Sequence, residues 1–224
     1  MGGIFNYDSP LMSGLGKIAD LAILNFLTLL FCIPIVTIGA SLTACHYVAL
    51  KIRRGEGYVF KNFWKSFKEN LIQSTILWLI FVAFVIMTVM SYAMAMTNMG
   101  EKMGPSICTI LFVGGLFAAM TSVWALPLQS KFINNIGTTI KNAFLMAFRY
   151  LFRTMLMLII SIIPIVLVLV VSFQWYSLLM LFGISVPIYL CALLYDKKFQ
   201  EIEDMIMDRQ LEEQQNANSD CLSC

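Results

Sequence analysis

Charge is what this sequence has least of. Only 12% of its 224 residues are Asp, Glu, Lys or Arg, about half the share of a water-soluble domain, while 59% are hydrophobic. An ordinary soluble globule is thereby excluded. Residues 21–50, 70–100, 103–130 and 154–195 contain no charged side chain at all, and such runs outlast a buried core helix. They are membrane segments.

Catalytic apparatus is missing as well. There is one histidine, and neither an HExxH, a GxSxG nor a pair of facing carboxylates occurs. Asp20 and His46 are 26 positions apart, roughly 39 Å along one helix, too far for a dyad. The expectation is a protein with no catalytic residues, no metal site and no cofactor. The basic residues sit at span ends and form no basic domain, so nucleic acid is not an expected partner; the lipid bilayer is. The opening MGGIFNYDSPLMSGLG lacks the cationic region and cleavage site of a signal peptide.

Six cysteines are present. Cys32, Cys45, Cys108 and Cys191 lie in apolar runs and read as small buried hydrophobes. Cys221 and Cys224 have CxxC spacing, but without a second pair they make no closed zinc site.

At about 20 residues per crossing, the runs predict an all-α, polytopic helix bundle with about five transmembrane helices. The approximate spans are 18–50 (kinked), 71–96, 105–128, 154–172 and 177–195, with FQWYS at 173–177 as the turn of a hairpin. Residues 1–195 form one transmembrane domain, and 196–224 a cytoplasmic helical extension fading into a disordered tail at EEQQNANSD. Thirteen of the fifteen basic residues fall on one side of such a layout, leaving Lys17 and Lys102 on the other. Retention of basic residues inside then places the N-terminus outside and the C-terminus in the cytoplasm.

Two cytoplasmic connections are amphipathic. Phe60, Phe63, Trp64, Phe67 and Leu71 share a helical face flanked by Lys61, Lys65 and Lys68; Phe144, Ala147, Phe148 and Leu151 repeat the pattern beside Lys141, Arg149 and Arg153. Each predicts an interfacial elbow helix, rings at the acyl boundary and ammonium groups at headgroups. Gly114, Gly115, Ala118, Ala119 and Ser122 predict a close-packing face on the third span.

The first span raises the functional question. Its 30 uncharged residues are too long for one untilted crossing and too short for two, and CIPIVTIGAS carries Pro34, Thr37 and Gly39 within it. Pro34 lacks an N–H and clashes with the Leu30 carbonyl, so the expectation is a helix to about Ile33, a distorted PIVTIG and a second helix from about Ala40. The Thr37 hydroxyl can satisfy a freed carbonyl. Polar groups inside a membrane are candidate sites, which nominates Asn25, Pro34, Thr37, Gly39 and Asn70 for a ligand or partner, against the simpler role of packing.

The stretch from DLAILNFLTLLFCIPIVTIGASLTACHYVALKIRRGEG to FWKSFKENLIQS, with IFNYDSP before it, resembles the YesL family of bacterial integral membrane proteins, a domain of unknown function. Asn25, Pro34–Gly39 and Phe67–Asn70 carry the likeness most specifically. The resemblance implies a small helical membrane protein whose genes neighbour those for carbohydrate uptake and glycan degradation, and it supplies no site residues. Two functions stand open. One is an accessory or regulatory component associated with carbohydrate uptake or utilisation, with a carbohydrate permease as partner, self-association belonging to the other. The other is a small oligomeric transporter or channel that uses the broken first span, which requires Asn25 and Thr37 to face a polar cavity.

Overall fold

The computed structural model describes residues 10–56, 58–98, 104–132, 134–170 and 180–222. Every regular element among them is helical: α1 Pro10–Cys32, a 3-10 turn Ile35–Thr37, α2 Ile38–Arg54, α3 Val59–Asn98, α4 Gly104–Lys131, α5 Ile136–Arg149, α6 Leu151–Val170 and α7 Ser185–Leu222. Five helices are long and apolar enough to cross a membrane, six when α5 and α6 are taken together as one bent span. Large apolar side chains such as Phe26, Met87 and Phe112 are more than half exposed. That surface suits a hydrocarbon solvent and not water.

The expected break in the first span is present, beginning one residue earlier than expected and ending two earlier. Its geometry is an overlap and not a shallow kink. Ser41 Oγ donates to the Thr28 carbonyl at 2.9 Å, although a continuous helix would separate these positions by roughly 20 Å along its axis. Asn25 and Arg54 make the same point on a longer scale. Their partners on or beside α7, Ser185 and Asp196, are 11 residues apart, roughly 17 Å, whereas 29 residues of helix would run roughly 43 Å. The break therefore takes up surplus length by letting α2 start beside the end of α1.

Two expectations about helix limits change. The segment from Tyr58 to Leu71 is not a separate interfacial helix: α3 runs unbroken for 40 residues, roughly 60 Å. The aromatic face expected at the acyl boundary is divided: Phe63 and Phe67 are buried and pack on Phe31 at ring distances of 5.6 and 4.9 Å, while Phe60 and Trp64 are exposed. A protein core and an acyl layer select the same apolar stripe. The C-terminal tail also differs, since α7 continues as helix through EEQQNANSD to Leu222. Once the anchored turn at Tyr195–Phe199 supplies the nucleus, Leu, Glu, Gln and Ala extend it at little cost.

The second elbow is present. The Asn135 side chain caps α5 by accepting the Ile136 N–H at 2.8 Å, and the chain bends 106° between α5 and α6. Thr154, fully buried, holds that corner: its hydroxyl accepts from Trp124 Nε1 at 2.9 Å and reaches the carbonyls of Ala147 and Tyr150. Small residues Thr139, Ala143 and Ala147 are the buried face of α5, while Phe144 and Phe148 point outward. On α4 the small face does meet α3, but loosely: a β-carbon added at Gly114 or Gly115 would come no closer than 3.8 Å to Phe84 or Thr88. The FQWYS hairpin, Lys102 and Cys224 lie outside the described residues.

Candidate functional site

The five nominated residues fall in three places. Pro34 and Thr37 lie in the break with Gly39, expected in it, just beyond as the second residue of α2; Asn25 stands two turns before it on α1, and Asn70 lies on α3 facing α4.

At the break, open backbone in a bilayer must find partners inside the protein, and it does. The Thr37 hydroxyl lies 2.8 Å from the Phe31 carbonyl and 2.9 Å from that of Pro34, which also accepts the Thr37 N–H. Thr75 Oγ on α3 donates to the Val36 carbonyl at 3.2 Å. Pro34 itself is extended and exposed. Gly39 serves the approach of α2 to α3: an added β-carbon would collide with the Ser74 carbonyl oxygen and Trp78 Cβ.

Asn25 is completely buried and splices a second break. The chain is helical at 180–182, turns at 183–184 and restarts as α7. The Asn25 amide donates to the Met180 carbonyl at 2.6 Å on one side of that interruption, and its oxygen accepts the N–H groups of Ile184 and Ser185 at 2.9 Å on the other. A side chain with one donor group and one acceptor group is the minimal piece that can do this. Asn25 is thus an N-cap for α7 delivered from another helix.

Asn70 belongs to a polar network between α3, α4 and α5 that the sequence did not announce. Gln129, nearly fully buried, donates to Gln73 Oε1 at 2.6 Å and, at 3.4 Å, to Asn70 Oδ1, and its own oxygen accepts from Thr139 at 2.9 Å. Asn70 in turn donates to the Ser66 carbonyl. The signal available in sequence was Gln129 itself, an amide in an apolar helix.

Of the residues expected at the interface, Phe60, Lys61, Lys65 and Lys68 are exposed and Trp64 is 38% exposed, with the Lys68 ammonium 4.7 Å above its ring. Phe67 is buried.

Below these lies an ionic base. Asp196, with a side chain only 3% exposed, receives Arg53 at 2.8 Å and Arg54 at 2.7 Å, while Glu203 joins Arg54 to Lys131. The ends of α2 and α4 are so tied to α7, and Arg153 adds a bond to the Leu194 carbonyl.

Between base and breaks, α2, α3, α4, α6 and the start of α7 border a partly open cavity of about 620 Å³. It is walled mainly by apolar side chains such as Phe81, Leu126 and Ile188, with His46 and Trp78 among the few polar ones. His46 Nδ1 is 3.1 Å from the Tyr195 hydroxyl. Neither Asn25 nor Thr37 lines this space. Among the described residues, no three His, Cys, Asp or Glu side chains are grouped to hold a metal, and Asp20 and His46 do not meet.

No curated protein and no solved structure matches the chain. Residues 21–92, which run from α1 through the break and α2 into α3, match the model of a family described as a protein of unknown function, DUF624.

Proposed function

We propose that this chain is a multi-pass protein of a bacterial cell membrane with no catalytic role, acting as an accessory or regulatory component by contact with a partner in the bilayer. The observation that carries the proposal is how the polar groups of the broken first span are used. Asn25 and Thr37 direct their hydrogen bonds to backbone groups of the protein itself, and the large cavity is apolar. A route for a sugar or an ion needs unspent polar groups along it, so a transporter or channel through the break is the weaker reading. The association with carbohydrate uptake rests on the YesL resemblance alone.

In the proposed topology α1 and α2 make a single crossing, followed by α3, α4, α6 and α7, five in all. Asn25 beside Ser185 and Arg54 beside Asp196 support it, because they place α1 and α2 at successive depths along α7. The N-terminus is then outside and the long α7 extends into the cytoplasm. The function is tested by gentle cross-linking in cells followed by co-purification in mild detergent. A carbohydrate permease is the expected partner; recovery of homo-oligomers alone, or sugar uptake unchanged by deletion, would overturn the proposal.

A further inference from the structure

Three cations gather on one aromatic ring at the corner between α5 and α6. The guanidinium carbons of Arg149 and Arg153 lie 5.9 and 5.7 Å from the centre of the Tyr150 ring, and the Lys198 ammonium, carried by α7, lies 5.4 Å from it. A ring face attracts each cation, but like charges held around one ring repel one another. A single carboxylate among the described residues answers them: Glu201 pairs with Lys198 at 2.7 Å. Arg149 has neither a carboxylate nor a hydrogen-bond acceptor among those residues, and Arg153 has only the Leu194 carbonyl at 3.3 Å. Most of the five N–H donors on each guanidinium are therefore unspent. The arginines of the ionic base differ, since Asp196 and Glu203 hold them.

The same elbow is apolar as well as basic. Phe148, Leu151 and Phe152, interleaved with the two arginines in the chain, are exposed, and the 106° bend turns an amphipathic helix into a span at this point. We propose that the elbow binds an anionic glycerophospholipid, its phosphodiester held by Arg149 and Arg153 beside Lys198 and its acyl chains lying along the exposed apolar side chains. A guanidinium fork matches phosphate oxygens, and basic pockets between membrane helices take anionic headgroups. A soluble phosphate ester would use the cations but leave the apolar half of the elbow without a role, which favours the lipid. Because the cations come from α5, α6 and α7, the bound headgroup would join the elbow to the helix that carries the ionic base. In the proposed topology this corner meets the cytoplasmic leaflet. Binding requires no protein partner, so the site stands or falls apart from the accessory role.

The test is titration of the full chain, in a non-ionic detergent, with dioleoylphosphatidylglycerol, dioleoylphosphatidylcholine and the acyl-free headgroup glycerophosphoglycerol, the first adduct being followed by native mass spectrometry. The anionic lipid should bind at least about 10-fold more tightly than the zwitterionic lipid with the same chains, and the acyl-free headgroup more weakly than the anionic lipid. Arg149→Gln and Arg153→Gln should each weaken the anionic lipid about 5-fold, the effect of one cation at a headgroup, and leave the zwitterionic lipid unchanged. Lys61→Gln and Lys68→Gln remove the same charge from exposed lysines of α3 and should each change binding less than about 2-fold. Arg149 is exposed and touches only the Tyr150 ring among the described residues, so its variant carries the test if Arg153→Gln does not fold. The inference is overturned if the two lipids bind alike, if Arg149→Gln binds like the parent chain, if the lysine variants weaken binding as much as the arginine ones, or if glycerophosphoglycerol binds as tightly as the anionic lipid.

Discussion

Asn25→Leu removes three hydrogen bonds and strands the N–H groups of Ile184 and Ser185 in an apolar setting. With unpaired buried groups costing about 1–3 kcal/mol each, the variant should lose about 2–4 kcal/mol, read as the shift in an SDS-unfolding titration. Gly39 and Gly137 form a paired prediction with opposite signs. Alanine is the better helix former by about 1 kcal/mol, and at Gly137, where an added β-carbon meets nothing within 4 Å, Gly137→Ala should be neutral or stabilising in thermal unfolding. Gly39→Ala should instead lower stability by about 1–3 kcal/mol, because Ser74 and Trp78 oppose the methyl with backbone and Cβ atoms that cannot rotate away. From the sequence, Pro34 and Thr37 could be assigned to a break because proline chemistry is local, whereas Gly39, expected within it, lies in α2 and answers to its contact with α3. The role of Asn25 was not legible, since its partners lie 155 to 160 residues away. Nothing in a single sequence encodes which backbone groups a buried amide will reach.

Helix α7 collects the strongest interactions between elements. It takes Asn25 at its start, Tyr195 against His46 midway, and Asp196 and Glu203 against three cations below. Asp196→Asn keeps the shape but leaves Arg53 and Arg54 facing a neutral group while both remain largely buried. Breaking such a pair from one side costs about 3–5 kcal/mol when fully buried. With the arginine side chains about one-fifth exposed, the expected loss in the same SDS titration is smaller, about 2–3 kcal/mol. Lys65→Gln, removing a 4.0 Å pair between side chains more than 60% exposed, should change stability by less than about 0.5 kcal/mol. At this scale charge-free runs mark the helices and proline marks the first break, but the pattern does not carry the continuity of α3 from Val59 to Asn98. Phe63 and Phe67 satisfy a core built with Phe31, and an amphipathic stripe carries no mark of which apolar medium it meets. The elbow at Tyr150 came through better, although its lock, Trp124 to Thr154, joins residues 30 apart.

For the whole molecule, composition already excluded a soluble fold, and the distribution of basic residues implied a direction across the membrane. The count of crossings depends on how α1 and α2 are joined, because each is long and apolar enough to cross alone. If they were two crossings, Lys17 and Glu56 would lie on the same side; as one overlapped crossing, they lie on opposite sides. Substituted-cysteine labelling in intact cells decides between these arrangements, using Lys17→Cys, Glu56→Cys and Met205→Cys in a background freed of native cysteines and a thiol reagent that does not cross membranes. The account predicts that Lys17→Cys is labelled in intact cells and that Glu56→Cys and Met205→Cys react only after permeabilisation. Labelling of Lys17→Cys and Glu56→Cys from the same side would contradict it.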